Sequence, residues 1–266
     1  MKKMVSFAVF TCFFFFTALA CGGVSPLDLK VKAEIWTAQD SKYTETSSVP
    51  GSNAPHGCLD TNFFKLTVEK AIGKALIEGA LTQGNILSQR MFIDAAESQF
   101  VRIEGTIQLA ELSGYYRVGI PFGNLDMGMS YLYSSTKKEF YDYSSGGVPD
   151  PARQGNFGRF MMVYHGPAAK IRARADLGPI GIEGSGYYGL VWNNVQVEGW
   201  PGGKTDDNAN GRRCAIEGAA IWNPFPLVEL KGGYRYESIY FNPPADGKHD
   251  LDITFRGPFA SLSVSF

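Results

Sequence analysis

The sequence predicts an all-β chain, a transmembrane antiparallel up-and-down β-barrel of about ten strands behind a cleaved export segment. Three observations carry this expectation. Hydrophobicity alternates with period two, short and long connections succeed one another regularly, and one apolar run at the N-terminus has no counterpart later in the chain.

That N-terminal run opens the chain. Lys2 and Lys3 precede VSFAVFTCFFFFTALA, and the small-residue triplet Ala18, Leu19, Ala20 closes it. This is the charged, apolar and A-x-A pattern of a secretory signal, so residues 1–20 are expected to be removed and residues 21–266 to form one barrel domain. The uncharged stretch from Met4 to Ala20 falls short of the ~20 apolar residues that a spanning helix needs. Cys21 follows the cleavage point, where a bacterial lipoprotein carries its lipidated cysteine. Ala18 stands where such signals usually have Leu, and a lipid anchor would be redundant on a spanning chain, so lipidation remains the minor alternative.

Composition narrows the class. With 19 Phe, 13 Tyr, 4 Trp, 31 Gly and 19% charged residues, the chain suits strands with an aromatic lipid-facing surface. A net charge of −1 offers no basic footprint for nucleic acid.

Strand by strand, alternation begins with Leu29, Val31, Ala33 and Ile35 against Lys30, Lys32 and Glu34. It recurs as Phe64, Leu66 and Val68 against Lys65, Thr67 and Glu69. In FVRIEGTIQLA, Val101, Ile103, Ile107 and Leu109 oppose Arg102, Glu104, Thr106 and Gln108. A membrane barrel turns apolar side chains to lipid and polar ones to its lumen, which assigns the two faces. Tight Gly/Pro connections at Lys70–Lys74, Pro121–Asn124, Leu177–Gly181 and Asn223–Pro226 alternate with long polar ones. The long ones are Thr37–Gly57, Gln89–Ser98, Tyr141–Asn156, Gly199–Arg212 and Phe241–Lys248, giving ten strands with both ends in the periplasm. Residues 71–97 also fit a helical face, but Gly73, Gly79 and Gly84 favour strands.

Three segments outrun the 9–11 residues that cross a bilayer. In each the apolar parity flips: near Ser113-Gly114, at Gly166-Pro167 and at Gly257-Pro258. A β-bulge at each site is the expected reason.

The C-terminus, DITFRGPFASLSVSF, resembles the last strand of Gram-negative outer-membrane β-barrels, with Phe266 preceded by Val264, Leu262 and Ala260 at every second position. The resemblance implies an outer-membrane location, outer-membrane lipid as partner, and an assembly signal (Phe266, Val264, Leu262) read by the barrel-assembly machinery. It names no activity.

Cys58 and Cys214 are the only cysteines of the body, and an oxidising compartment makes a disulfide between them the natural expectation. Asp206, Asn208, Asn210 and Glu217 match a calcium-loop pattern, weakly, because the motif needs flanking helices and Arg212 and Arg213 add positive charge. His56, His165 and His249 form no catalytic or metal grouping by spacing, so no cofactor and no enzymatic site is expected. The inward faces balance positive and negative charge. Arg102, Glu104, Arg172, Arg174, Asp176, Glu229, Lys231, Arg235 and Glu237 lead this set, with Asp252 and Arg256 also read as inward. Balanced charge in a narrow barrel points to a plugged lumen and a structural or surface-interaction role through extracellular loops. The alternatives are a small porin-like channel for solutes and an outer-membrane enzyme.

Overall fold

A computed structural model describes residues 29–46, 56–92, 96–198, 205–242 and 250–266. The export segment and Cys21 lie outside these residues. Ten strands form one antiparallel sheet: β1 (Leu29–Thr46), β2 (His56–Ile72), β3 (Ala75–Phe92), β4 (Gln99–Ile120), β5 (Gly123–Ser145), β6 (Asn156–Leu177), β7 (Ile180–Glu198), β8 (Thr205–Phe225), β9 (Val228–Phe241) and β10 (Asp250–Ser265). Each strand pairs with the next, and β1 pairs with β10, which closes the barrel. Closure leaves no free edge, the condition for any sheet in lipid. A two-residue bridge, Val148–Pro149, folds back on the end of β5.

Residues 71–92 are a hairpin rather than a helix. Ile72 pairs with Ala75 around Gly73, whose φ of 61° is a backbone state that glycine adopts without penalty. Equally tight turns at 121–122, 178–179 and 226–227 lie at the same end of the barrel as Leu29 and Phe266. Strands run far into the segments expected to be long loops: β1 reaches Thr46, and β5 reaches Ser145.

The three expected bulges are absent. Pairing of β5 with β6 is unbroken through Leu132↔Gly166 and Tyr131↔Pro167, that of β9 with β10 through Arg235↔Gly257, and that of β4 with β5 through Gly114↔Met129. Facing never changes along β6: Phe160, Met162 and Tyr164 point inward, and so do Lys170, Arg172 and Arg174. What changes is the surroundings. Below Gly166 the outer face meets lipid and is apolar (Ile171, 50% exposed) while the inner face is charged. Above it the outer face meets water and the inner face is a dry core. The register shifts on β1–β5, at Ala38/Ser41, Gly57/Asp60, Ser88/Met91, Phe100/Arg102 and Phe140/Tyr141, lie on the upper parts of those strands, and one more, at Val228/Leu230, lies at the periplasmic end of β9. At either end of the barrel water satisfies backbone groups that a bulge releases.

The upper barrel is therefore filled like a soluble protein. Trp36 stacks on Phe63 at 4.6 Å and 16°, and Phe255 meets both rings edge-on at 6.3 and 5.4 Å. Leu59, Ile86, Val101, Ile107, Leu132, Met162, Ile239 and Ile253 complete the packing around them. Tyr164 and Phe241 meet at 5.8 Å. Lys138 enters this core with its ammonium 4.1 Å from the Tyr43 ring centroid and 5.0 Å from that of Phe160, both within cation–π range.

At several glycines the neighbouring strand leaves no room for a side chain, and two of them stand where the interior changes character. A Cβ on Gly257 would lie 1.9 Å from the Thr37 carbonyl oxygen, and one on Gly166 2.0 Å from that of Leu190. Gly257→Val is accordingly expected to destabilise the barrel by about 1–3 kcal/mol through overpacking. The measurement is the temperature at which the folded band is lost in detergent gels, and an unchanged temperature would contradict this account of the wall.

Candidate functional site

Below the aromatic layer, inward positions of β1–β9 bring charged side chains together in the lower lumen, while β10 contributes serines. Asp126 on β5 is fully buried and receives two arginines. Arg117, its register partner on β4, donates from Nε at 2.8 Å and Nη2 at 3.0 Å, and Arg172 on β6 donates from Nη2 at 2.8 Å. Arg172 also reaches across the lumen to Glu69 on β2 (3.1 Å) and Glu78 on β3 (3.6 Å). Lys170 lies 3.3 Å from Glu111 and 3.6 Å from Glu78.

A second group centres on β9. Arg235 pairs with Glu217 and, at 2.7 Å, with Glu34, which also meets Lys32 at 3.0 Å. Lys231 pairs with Glu217 and, at 2.7 Å, with Glu183. Glu229 takes Lys30 at 2.8 Å and Arg174, and Arg174 also binds Asp176 at 2.8 Å. Glu237 holds Arg213 at 2.8 Å. Buried charges require partners of this kind, because each unpaired one would retain most of its desolvation cost.

Where this floor meets the apolar roof, guanidinium planes lie over rings: Arg235 over Trp36 at 5.0 Å, Arg172 over Tyr115 at 5.2 Å and Arg213 over Tyr187 at 4.6 Å. A cavity of about 110 Å³ remains between the two layers, bordered by Lys65, Glu111, Lys170, Tyr187 and Phe255. At roughly 10–15 Å³ per water this has room for several waters.

The expected lumen residues Arg172, Arg174, Asp176, Glu229, Lys231, Arg235 and Glu237 all lie in this network. Arg102 and Glu104 do not. On β4 the buried series is Val101, Ile103 and Ile107, so Arg102 and Glu104 stand on the outer wall, in water above the membrane. Asp252 and Arg256 are likewise outside and exposed. Unbroken parity brings in residues that the sequence reading missed, Glu111, Arg117 and Arg213. Continuing the buried series of β4 from Ile107 through Glu111 would have found the first two.

The expected disulfide does not form: Cys58 and Cys214 are free. Both follow the outward parity of their strands, and β2 and β8 are four strands apart around the wall. At ~4.8 Å per strand this is far beyond the ~7 Å limit for a bridge. The calcium pattern also fails to form a loop. Residues 205–210 continue β8, with the side chains of Asp206 and Asn208 outside the described residues. Asn210 faces out, and Glu217 faces in on Lys231 and Arg235. His56 lies 3.5 Å from Glu97 at the upper rim, and His165 accepts or donates at 2.7 Å with Tyr131 on the outer wall. His249 lies outside the described residues.

At that rim Arg102 donates from Nε to Asp142 at 3.0 Å and covers Tyr141 at 4.7 Å, while Asp142 accepts the Gly155 amide at 3.0 Å. The Gly155 bond and the Arg102 guanidinium hold the Asp142 carboxyl below the usual carboxylate range.

No family model and no curated protein matches the chain. Among solved structures, the outer-membrane protease OmpT from Escherichia coli superposes with a TM-score of 0.66 at 10% identity, over 92% of this chain and 99% of that one. Neisserial surface protein A gives 0.33 at 12% identity over 90% and 97%. The translocator domain of the autotransporter NalP from Neisseria meningitidis gives 0.38 at 10% over 99% and 98%. At these identities the likeness is one of fold. The fold is that of the Gram-negative outer-membrane β-barrels, and the apolar outer belt fits the chain to that membrane.

Two measurements probe the site. Asp126→Asn leaves Arg117 without its partner and weakens the hold on Arg172, so a loss of about 3–5 kcal/mol is expected, read as a lowered unfolding temperature in detergent. Asp142 has a depressed carboxyl pKa, so its contribution is present above the ordinary carboxylate range and lost as pH falls through the folded value. Protection of the Gly155 amide, taken relative to its intrinsic exchange rate, should therefore fall as pH drops through the folded value of Asp142, and Asp142→Asn should remove that loss.

Proposed function

We propose that this protein is a closed outer-membrane barrel that acts as a structural or surface-interaction protein through its extracellular extension and loops. The filled interior carries the reading. A dry aromatic and aliphatic core occupies the upper lumen, a salt-bridged network occupies the lower lumen, and about 110 Å³ is left between them. A selective pore commonly shows an excess of one sign along an open path. Here non-adjacent strands are joined instead, β6 to β2 and β3 across the lumen through Arg172 and β9 to β1, over β10, through Arg235. The extracellular strand ends, polar outside and packed inside, form a rigid stalk on which loops are displayed.

Assembly belongs to the same proposal. Leu262 and Val264 follow the outward parity of β10, and Phe266, 52% exposed, donates its amide to the Leu29 carbonyl at 2.8 Å. This surface motif is available to the assembly machinery before the barrel closes.

In planar bilayers the wild-type protein is expected to give no steady conductance. The double variant Glu229→Gln, Glu237→Gln, which strips Lys30, Arg174 and Arg213 of a carboxylate, is expected to open transient currents or lower thermal stability. Large, steady, ion-selective currents from the wild type would establish the channel reading in place of this one.

A further inference from the structure

The lipid-facing belt is taller on one half of the barrel than on the other. Counted nine to eleven residues from the periplasmic end of each strand, the outward residues of β4–β8 are Ala110, Tyr133, Pro167, Leu190 and Cys214. At the same count, β9, β10, β1, β2 and β3 present Ser238, Arg256, Gln39, Asn62 and Asn85. The division is contiguous: five neighbouring strands are apolar at this height and the other five are polar.

The upper boundary of the belt accordingly falls at different heights. On β7 the outward apolar series runs twelve steps, from Ile180 to Trp192, whereas on β3 it stops six steps from Ala75, at Leu81, with Gln83 next. At roughly 2.5 Å of height per residue for a strand tilted ~40°, these are about 30 and 15 Å, against the ~25 Å of a typical outer-membrane belt. The lower boundary does not compensate: exposed apolar residues mark the periplasmic end on both halves, Phe122, Leu177 and Phe225 on the tall one and Ile72 and Phe266 on the short one, so the belt's edges converge through its upper boundary.

We propose that this barrel thins the bilayer locally beside β9–β3. Rigid-body tilt cannot reconcile the two halves, because a flat bilayer has parallel faces and the belt's edges converge. Leaving Asn62, Asn85 and Arg256 in hydrocarbon would remove them from every hydrogen-bonding partner. A bilayer that yields at the short face avoids this at modest cost per ångström of mismatch. The occupant is lipid because the short face continues the lipid-facing belt of the tall half without a break, through Ile35, Phe64 and Leu262.

The test uses the full barrel with its native cysteines replaced by serine and one new cysteine, Asn85→Cys or Leu190→Cys. Each is ten residues from its strand's periplasmic start, and both positions are outward and exposed. An environment-sensitive nitrobenzoxadiazole label is placed there, and the protein is folded into phosphatidylcholine vesicles, with folding confirmed by heat-modifiable migration. Lipids brominated along the acyl chain should quench the Leu190 probe several-fold more than the Asn85 probe, and aqueous iodide should show the reverse order. Equal bromolipid quenching at both sites would overturn the proposal. So would an Asn85 probe shielded from both quenchers in vesicles where Asn62→Cys cross-links barrels, since a second copy would then cover the short face.

Discussion

A strand that passes from bilayer into water must exchange the polarity of its two faces while keeping the same face inward. Everything distinctive in this barrel follows from that constraint. Within the membrane, lipid demands an apolar outside, so polar side chains turn to the lumen. Above it, water takes the outside, and the only place left to bury Trp36, Phe63, Tyr164 and Phe255 is the interior. Gly166 and Gly257 stand at the crossing, where a carbonyl oxygen of the neighbouring strand leaves no room for a Cβ.

Two kinds of interior then meet end to end, and each limits the other. The core above excludes water from the upper lumen, which confines hydration to the small cavity below it. Charges beneath that layer cannot rely on bulk solvent, and their pairing across the lumen is what the confinement requires. Arginine suits the boundary because its guanidinium can bind carboxylates in its plane and present a face to an aromatic ring. Arg235 does so between Glu34, Glu217 and Trp36. In the reading proposed above, closure of the lumen is a consequence of how the barrel is stabilised.

Alternation, connection rhythm and the terminal aromatic strand were enough to determine, from sequence alone, a ten-stranded antiparallel barrel with its tight turns at one end. These are local properties, set by period-two geometry and by turn residues such as Gly73 within a few positions of one another. Which side of the wall each residue faces was legible only in the lower half. Val101 and Ile103 carry the same alternation as Val31 and Ala33, and nothing in the pattern says that one pair lies above the membrane and the other inside it. Tertiary structure decided that, because facing is inherited through an unbroken register from distant residues and the medium outside is set by height along the whole barrel. The same reason separates Cys58 from Cys214, whose distance depends on four intervening strand spacings, and it brings Arg172 to Glu69, more than a hundred residues away.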